Sequence, residues 1–140
     1  MDDRICPETG AVLRRGTRPL VLTYKGRSIE IEMPGWYAEG AADGIHDGDD
    51  MKISDRALHR LKAEAEGLLL PEEVRRVRRR LDLSQREAGL VIGGGPNAFQ
   101  KYESGDVLVS HAISSALRLL DAHPDALAIL IAHRSERPAA

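Results

Sequence analysis

The chain has 140 residues, a length that favours one domain or two small ones sharing little core. Lysine plus arginine number 20 and aspartate plus glutamate 22, so the formal charge is −2 and the chain as a whole is no polycation. No apolar run approaches the roughly 20 residues that a membrane helix needs. The start Met1-Asp2-Asp3-Arg4-Ile5-Cys6 has no hydrophobic signal segment, and a single cysteine excludes an internal disulfide or a multi-thiolate metal cage. A cytoplasmic protein is expected.

Residues 18–33 read as two strands. Ile29, Ile31 and Met33 alternate with Ser28, Glu30 and Glu32, which is the period of a strand. Lys25-Gly26 supplies the turn and Pro34-Gly35 is expected to end the second strand. Residues 38–50, rich in glycine and aspartate, read as loop. Ser54 is then expected to cap a helix with Ala57, Leu58, Leu61, Ala65 and Leu68 at helical spacing, stopped by Gly67 and Pro71. A boundary falls in 66–71, giving an N-terminal domain of residues 1–68 and a C-terminal domain of residues 69–140.

Pro71-Glu72-Glu73 is a helix start, with Val74, Val77 and Leu81 as the apolar stripe. Ser84-Gln85-Arg86-Glu87 is a capping box that opens a helix running to about Ile92 and stopping at Gly93-Gly94-Gly95. The next helix is expected from Pro96 to Gly105. Ser110 caps a fourth, carrying Ile113, Ala116, Leu117 and Leu120. A last short helix holds Leu127, Leu130 and Ile131, and the tail from about Ser135 is expected to fray. The fold class is therefore α+β: a small β-hairpin and helix domain followed by an all-α domain of five helices.

Charge is uneven. Residues 1–70 carry −3 and residues 71–140 carry +1. Between Val74 and Tyr102, Arg75, Arg76, Arg78, Arg79, Arg80, Arg86 and Lys101 face only Asp82 and Glu87, a net +5. Such a stretch suits either a polyanion-binding face or a solvated helix. The pattern around it favours the first. Two short helices joined by a glycine turn suggest a helix-turn-helix. Ala88 and Ile92, then Phe99 and Tyr102, face inward. Asn97, Gln100 and Lys101 are left exposed, where a recognition helix presents side chains to the major groove. Asn and Gln pair with adenine and Lys donates to guanine. Gln85 and Arg86 suit phosphate contacts, and Arg79 and Arg80 add to them.

These residues carry a resemblance. The segments 83–89 and 96–105 resemble a Cro/CI-type (XRE-type) helix-turn-helix. More narrowly, Gly93-Gly94-Gly95-Pro96-Asn97-Ala98-Phe99 followed by Lys101-Tyr102-Glu103 resembles the MqsA antitoxin family, and residues 24–27, Gly35-Trp36-Tyr37 and residues 119–124 also fit. The resemblance implies a zinc-bearing N-terminal domain that neutralises a ribonuclease toxin. It also implies a C-terminal domain that dimerises and represses its own operon at a palindrome of double-stranded DNA. It assigns base contacts to Asn97 and Lys101. The family more often has arginine at the latter position, and lysine lacks the guanidinium fork.

The metal site departs from the family. Two Cys-x-x-Cys pairs are replaced by Cys6 with Thr9 and by Ala38 with Ala41, and neither Thr nor Ala replaces a zinc thiolate. No zinc and no other cofactor is expected, and packing around Trp36, Leu20, Leu22 and Ile31 is expected to substitute. His46, Asp43, Asp47, Asp49 and Asp50 lack a calcium-loop pattern, Cys6 has no base beside it, and the triple glycine lacks the ending of a phosphate loop. No triad or paired carboxylates point to an enzyme. The alternatives to an antitoxin are a stand-alone XRE-type regulator and a protein-interaction module with no toxin partner.

Overall fold

The computed structural model describes residues 3–136, and they form an antiparallel sheet followed by six α-helices. The fold is α+β. The chain divides into two compact units, residues 1–61 and 62–140.

The first unit is built on one sheet of order β1-β2-β3-β4, with β1 at Asp3–Ile5, β2 at Val12–Tyr24, β3 at Arg27–Tyr37 and β4 at Gly44–Ile45. Lys25 and Gly26 both have positive φ, +47° and +77°, which matches the right-handed twist of the hairpin they join. Leu20 stands opposite Ile31 and Leu22 opposite Ile29. The strands are longer than the alternation suggests. β2 starts at Val12, and β3 runs through Pro34-Gly35 to Tyr37. The Pro34 carbonyl accepts a hydrogen bond from His46 Nδ1 at 2.8 Å. The polar groups of Pro34 therefore point away from β2, and its missing N–H removes no rung of the ladder. Gly35 leaves room for the same imidazole, since a Cβ there would lie 2.7 Å from Nδ1.

The stretch 38–50, expected as loop, includes β4 and the first residue of α1 (Asp50–Glu66). Ser54 is not the cap. It lies inside α1, buried, with its hydroxyl donating to the Met51 carbonyl at 3.1 Å. Asp50 takes the helix start instead, where its carboxylate accepts from the Asp47 N–H at 3.1 Å and from the Arg15 guanidinium. A carboxylate at that end also meets the positive pole of the helix dipole.

The buried apolar side chains of this unit are Leu13, Met33, Tyr37 and Leu61. This corrects the expected core: Leu20 is exposed, and Leu22, Ile31 and Trp36 are half-buried. Beyond the short outer strands, β2 and β3 pair only with each other among the described residues, and a two-stranded ribbon buries its apolar face incompletely.

The second unit holds α2 (Pro71–Arg80), α3 (Gln85–Val91), α4 (Ala98–Ser104), α5 (His111–Ala122) and α6 (Leu127–Glu136), with a 3-10 turn at Pro124–Ala126. Pro71 opens α2 as its fixed φ favours. Val74, Val77 and Leu81 pack with Ala88, Phe99, Leu117 and Leu120 in one core. Ile92 and Tyr102 are half-buried against it. Ala63, Leu68 and Val109 form a second, smaller cluster. Ser114 is buried and accepts the Leu69 N–H at 3.0 Å. Ser110 caps α5 through the Ile113 N–H at 3.1 Å.

Two boundaries differ from expectation. α4 begins at Ala98, because Pro96 and Asn97 are still in the turn and Asn97, at φ −106° and ψ 0°, holds the cap position. α6 continues past Ser135 to Glu136, with the Ser135 hydroxyl bonded to the Ile131 carbonyl. The rest of the expected frayed tail, residues 137–140, lies outside the described residues, as do Met1 and Asp2 of the expected leaderless start.

Candidate nucleic-acid interface

The candidate interface is organised around the approach of α3 to the turn that follows it. Ser84 Oγ accepts the Glu87 N–H and the Glu87 carboxylate accepts the Ser84 N–H, both at 3.1 Å. These bonds, the one from the Ser84 backbone foremost, hold the Glu87 carboxyl below its ordinary pKa. One turn later, Gly89 is buried against Gly95. A Cβ on Gly89 would lie 1.8 Å from the Gly95 oxygen, while the Gly95 N–H donates to the Gly89 carbonyl at 3.1 Å. The turn passes through Gly93, Gly94 and Gly95 at φ +142°, +98° and +94°, conformations that side chains resist. This close crossing sets where α4 leaves the turn.

α4 is anchored on one face and open on the other. Phe99 is fully buried, and Tyr102 meets it edge to face with centroids 5.5 Å apart. Asn97, Gln100 and Lys101 are exposed. Asn97 makes no side-chain cap bond, which leaves its amide available to a ligand. Asn97 and Lys101 both line an open recess of about 390 Å³, together with Pro96, Ala98, Tyr102 and Val107. Gln100 does not line it. Gly105, left-handed at φ +86°, ends the helix and turns the chain so that the Val107 N–H reaches the Lys101 carbonyl at 3.3 Å.

The basic stretch divides by partner. Arg78 donates Nε and Nη2 to Glu103 at 2.7 and 2.8 Å and Nη1 to the Leu83 carbonyl at 2.9 Å. Arg76 and Arg80 converge on Asp121, at 3.1–3.2 Å and 3.1 Å. Arg76 foremost keeps the Asp121 carboxyl below its ordinary pKa. Arg79 and Arg86 are exposed, and among the described residues no carboxylate pairs with them or with Lys101. Gln85 is half-buried at the first turn of α3. The net positive window thus shrinks once Glu103 and Asp121 are counted. Sequence reading missed both partners because they lie 25 and 41–45 residues away. It also missed Tyr102 and Val107 as walls of the recess, since no local pattern marks a turn residue as a neighbour of Lys101.

The model of the MqsA family, described as the antitoxin component of a bacterial toxin-antitoxin system, matches residues 2–130. The chain belongs to the MqsA antitoxin family. It is 31% identical over 117 residues to Antitoxin MqsA of Escherichia coli (strain K12), covering 80% of this chain and 87% of that relative. The MqsA family is regulatory rather than enzymatic, and its members act as partners of a toxin.

A zinc ion of the kind the MqsA resemblance implies does not fit this chain. The two turns remain: Gly10 donates to the Cys6 carbonyl at 2.8 Å, and Ala41 to the Ala38 carbonyl at 3.1 Å. They present one thiol between them. The Thr9 hydroxyl bonds to that thiol and lowers its pKa. No three His, Cys, Asp or Glu side chains among the described residues are grouped to hold a metal. Arginines occupy the neighbourhood. Arg18 donates to the Ala41 carbonyl at 3.0 Å and lies 4.6 Å over the Tyr37 ring. Trp36 has Arg4 at 4.5 Å and Arg15 at 5.8 Å from its centroid. Arg15 also donates to Asp50, through Nη1 at 2.8 Å and through Nη2. Among the described residues no helix is long and apolar enough to cross a membrane.

Proposed function

We propose that this antitoxin is a dimeric, sequence-specific DNA-binding repressor of its own operon. The observation that carries the proposal is α4: a short helix pinned by Phe99 and the Arg78–Glu103 pair, with Asn97, Gln100 and Lys101 exposed along it. Asn97 and Lys101 read base edges, with Gln100 beside them. Gln85, Arg86 and Arg79 meet phosphates. Arg80 contributes less than its neighbours because Asp121 already holds it. Two copies bind a palindrome, and the exposed Leu119 and Ile129 on α5 and α6 offer apolar surface for a second copy.

The N-terminal region, residues 1–68, takes the toxin-binding role, and residues 69–140 the DNA-binding and dimerisation roles. The distal ribbon supports the first assignment. β1 pairs with residues 12–14 of β2, and β4 with residues 36–37 of β3, so among the described residues long stretches of both edges lack a neighbouring strand. Leu20, Leu22, Ile29 and Ile31 leave apolar surface on that ribbon. Open edges with apolar cross-strand pairs suit a protein partner. A ribonuclease toxin in the cytoplasm is the partner proposed.

Co-expression with the neighbouring open reading frame tests both arms. Rescue of growth, a stable complex and occupancy of the upstream region are expected. Occupancy without rescue or complex would leave the other reading, a stand-alone regulator.

A further inference from the structure

The recess beside α4 combines two chemistries. Asn97 and Lys101 bring hydrogen-bonding groups, whereas Pro96, Ala98, Val107 and the ring of Tyr102 bring apolar surface. Val107 is 42% exposed, an unshielded β-branched side chain in a turn. Its N–H bond to the Lys101 carbonyl fixes it next to the base-reading face. Solvation alone gives no reason for an apolar wall there.

The base pair that Asn97 suits gives one. An asparagine amide matches N6 and N7 of adenine, and adenine's partner is thymine. The thymine C5 methyl is the one apolar group displayed in the major groove. An adenine read by Asn97 therefore brings a methyl group into the same groove, within one base pair of the recess. We infer that the recess receives this thymine methyl, with Val107 and Pro96 as its apolar wall and Val107 as a specificity-determining residue. The inference rests on the DNA-reading role proposed for α4 and adds the base that role selects.

The test uses the full-length protein and the duplex upstream of its own gene, prepared with thymidine or with deoxyuridine, which lacks only the methyl. A scrambled duplex is the third arm. Fluorescence anisotropy at one fixed salt concentration is expected to show the deoxyuridine duplex bound about three- to fivefold more weakly per methyl received. Val107→Ala is expected to weaken binding to the thymidine duplex by a similar factor and to reduce the difference between the two duplexes, with Pro96 keeping the remainder. Its salt dependence should match that of the wild type. Val107→Thr, which replaces one γ-methyl with a hydroxyl and keeps the other, should fall between the wild type and Val107→Ala. Equal affinity for both duplexes, or a Val107→Ala protein that keeps the full wild-type ratio, overturns the inference while leaving DNA reading intact. Wild-type protein that binds the scrambled duplex equally well overturns the DNA-reading role and the methyl contact with it.

Discussion

Arg78 and Glu103 form a part-buried, two-pronged ion pair between α2 and α4, with side chains 11% and 5% exposed. The same guanidinium also holds the Leu83 carbonyl, so one side chain ties α2, the loop before α3, and α4. Loss of one partner strands a partly buried charge, with the roughly 3–5 kcal/mol typical of fully buried pairs as the upper bound, whereas well-packed apolar replacements of both are often neutral. Glu103→Gln should therefore lower the free energy of unfolding steeply in urea. The Arg78→Met, Glu103→Leu double variant should recover much of that loss. A single variant as stable as the wild type would show that the pair does not bind the helices together.

Gly89 is set by contact rather than by backbone angle. A methyl group there would overlap the Gly95 oxygen at 1.8 Å, and both groups are backbone, with no side chain to swing aside. Gly89→Ala should lose at least the ~3 kcal/mol at the top of the usual overpacking range, seen as a lowered Tm by circular dichroism. An unchanged Tm would mean that α3 and the glycine turn separate at little cost.

Acid should act on the N-terminal unit through Asp50. Arg15 foremost, helped by the Asp47 N–H, pulls its pKa from 3.8 to about 2. A carboxyl depressed in the folded state contributes stability that is fully present above its unfolded value and lost as pH falls through the folded one. This contribution should fade between about pH 4 and pH 2. Trp36, the single tryptophan, lies beside Arg15 and reports the transition by fluorescence. Asp50→Asn should flatten the pH dependence of stability in that window. An unchanged slope would detach the Arg15–Asp50 contact from the fold's acid response.

Phosphate contacts are predicted to sort by existing partners. Arg79→Ala and Arg86→Ala should each weaken DNA binding across all sequences and reduce the log–log salt slope by about 1. Arg80→Ala should change the slope less, since Asp121 holds that guanidinium at 3.1 Å. A larger slope change for Arg80 than for Arg79 would reverse this ordering.

Much of the C-terminal unit was legible because its signals are local. Pro71, the Ser84–Glu87 box, Gly105 and Ser110 each mark a helix end within a few residues of chain. Asn97, Gln100 and Lys101 read as exposed for the same reason: the buried Phe99 fixes the helix phase. The N-terminal unit was harder. Pro34 looks like a strand end, and only the direction of its carbonyl toward His46 makes it harmless within β3. Ser54 looks like a cap, and only Arg15, 35 residues before Asp50, shows why the helix starts earlier. Arg78, Arg76 and Arg80 likewise read as free charge, because Glu103 and Asp121 are brought near only by folding.

The central claim is that α4 reads DNA through Asn97 and Lys101. The direct measurement is the affinity of wild type, Asn97→Ala and Lys101→Ala for the duplex upstream of the gene and for a scrambled duplex, with circular dichroism to verify folding. Each substitution is expected to cost about 1–3 kcal/mol on the specific duplex. The effect on the scrambled duplex should be smaller for Asn97→Ala than for Lys101→Ala. Folded variants that bind the specific duplex as tightly as the wild type would contradict the claim.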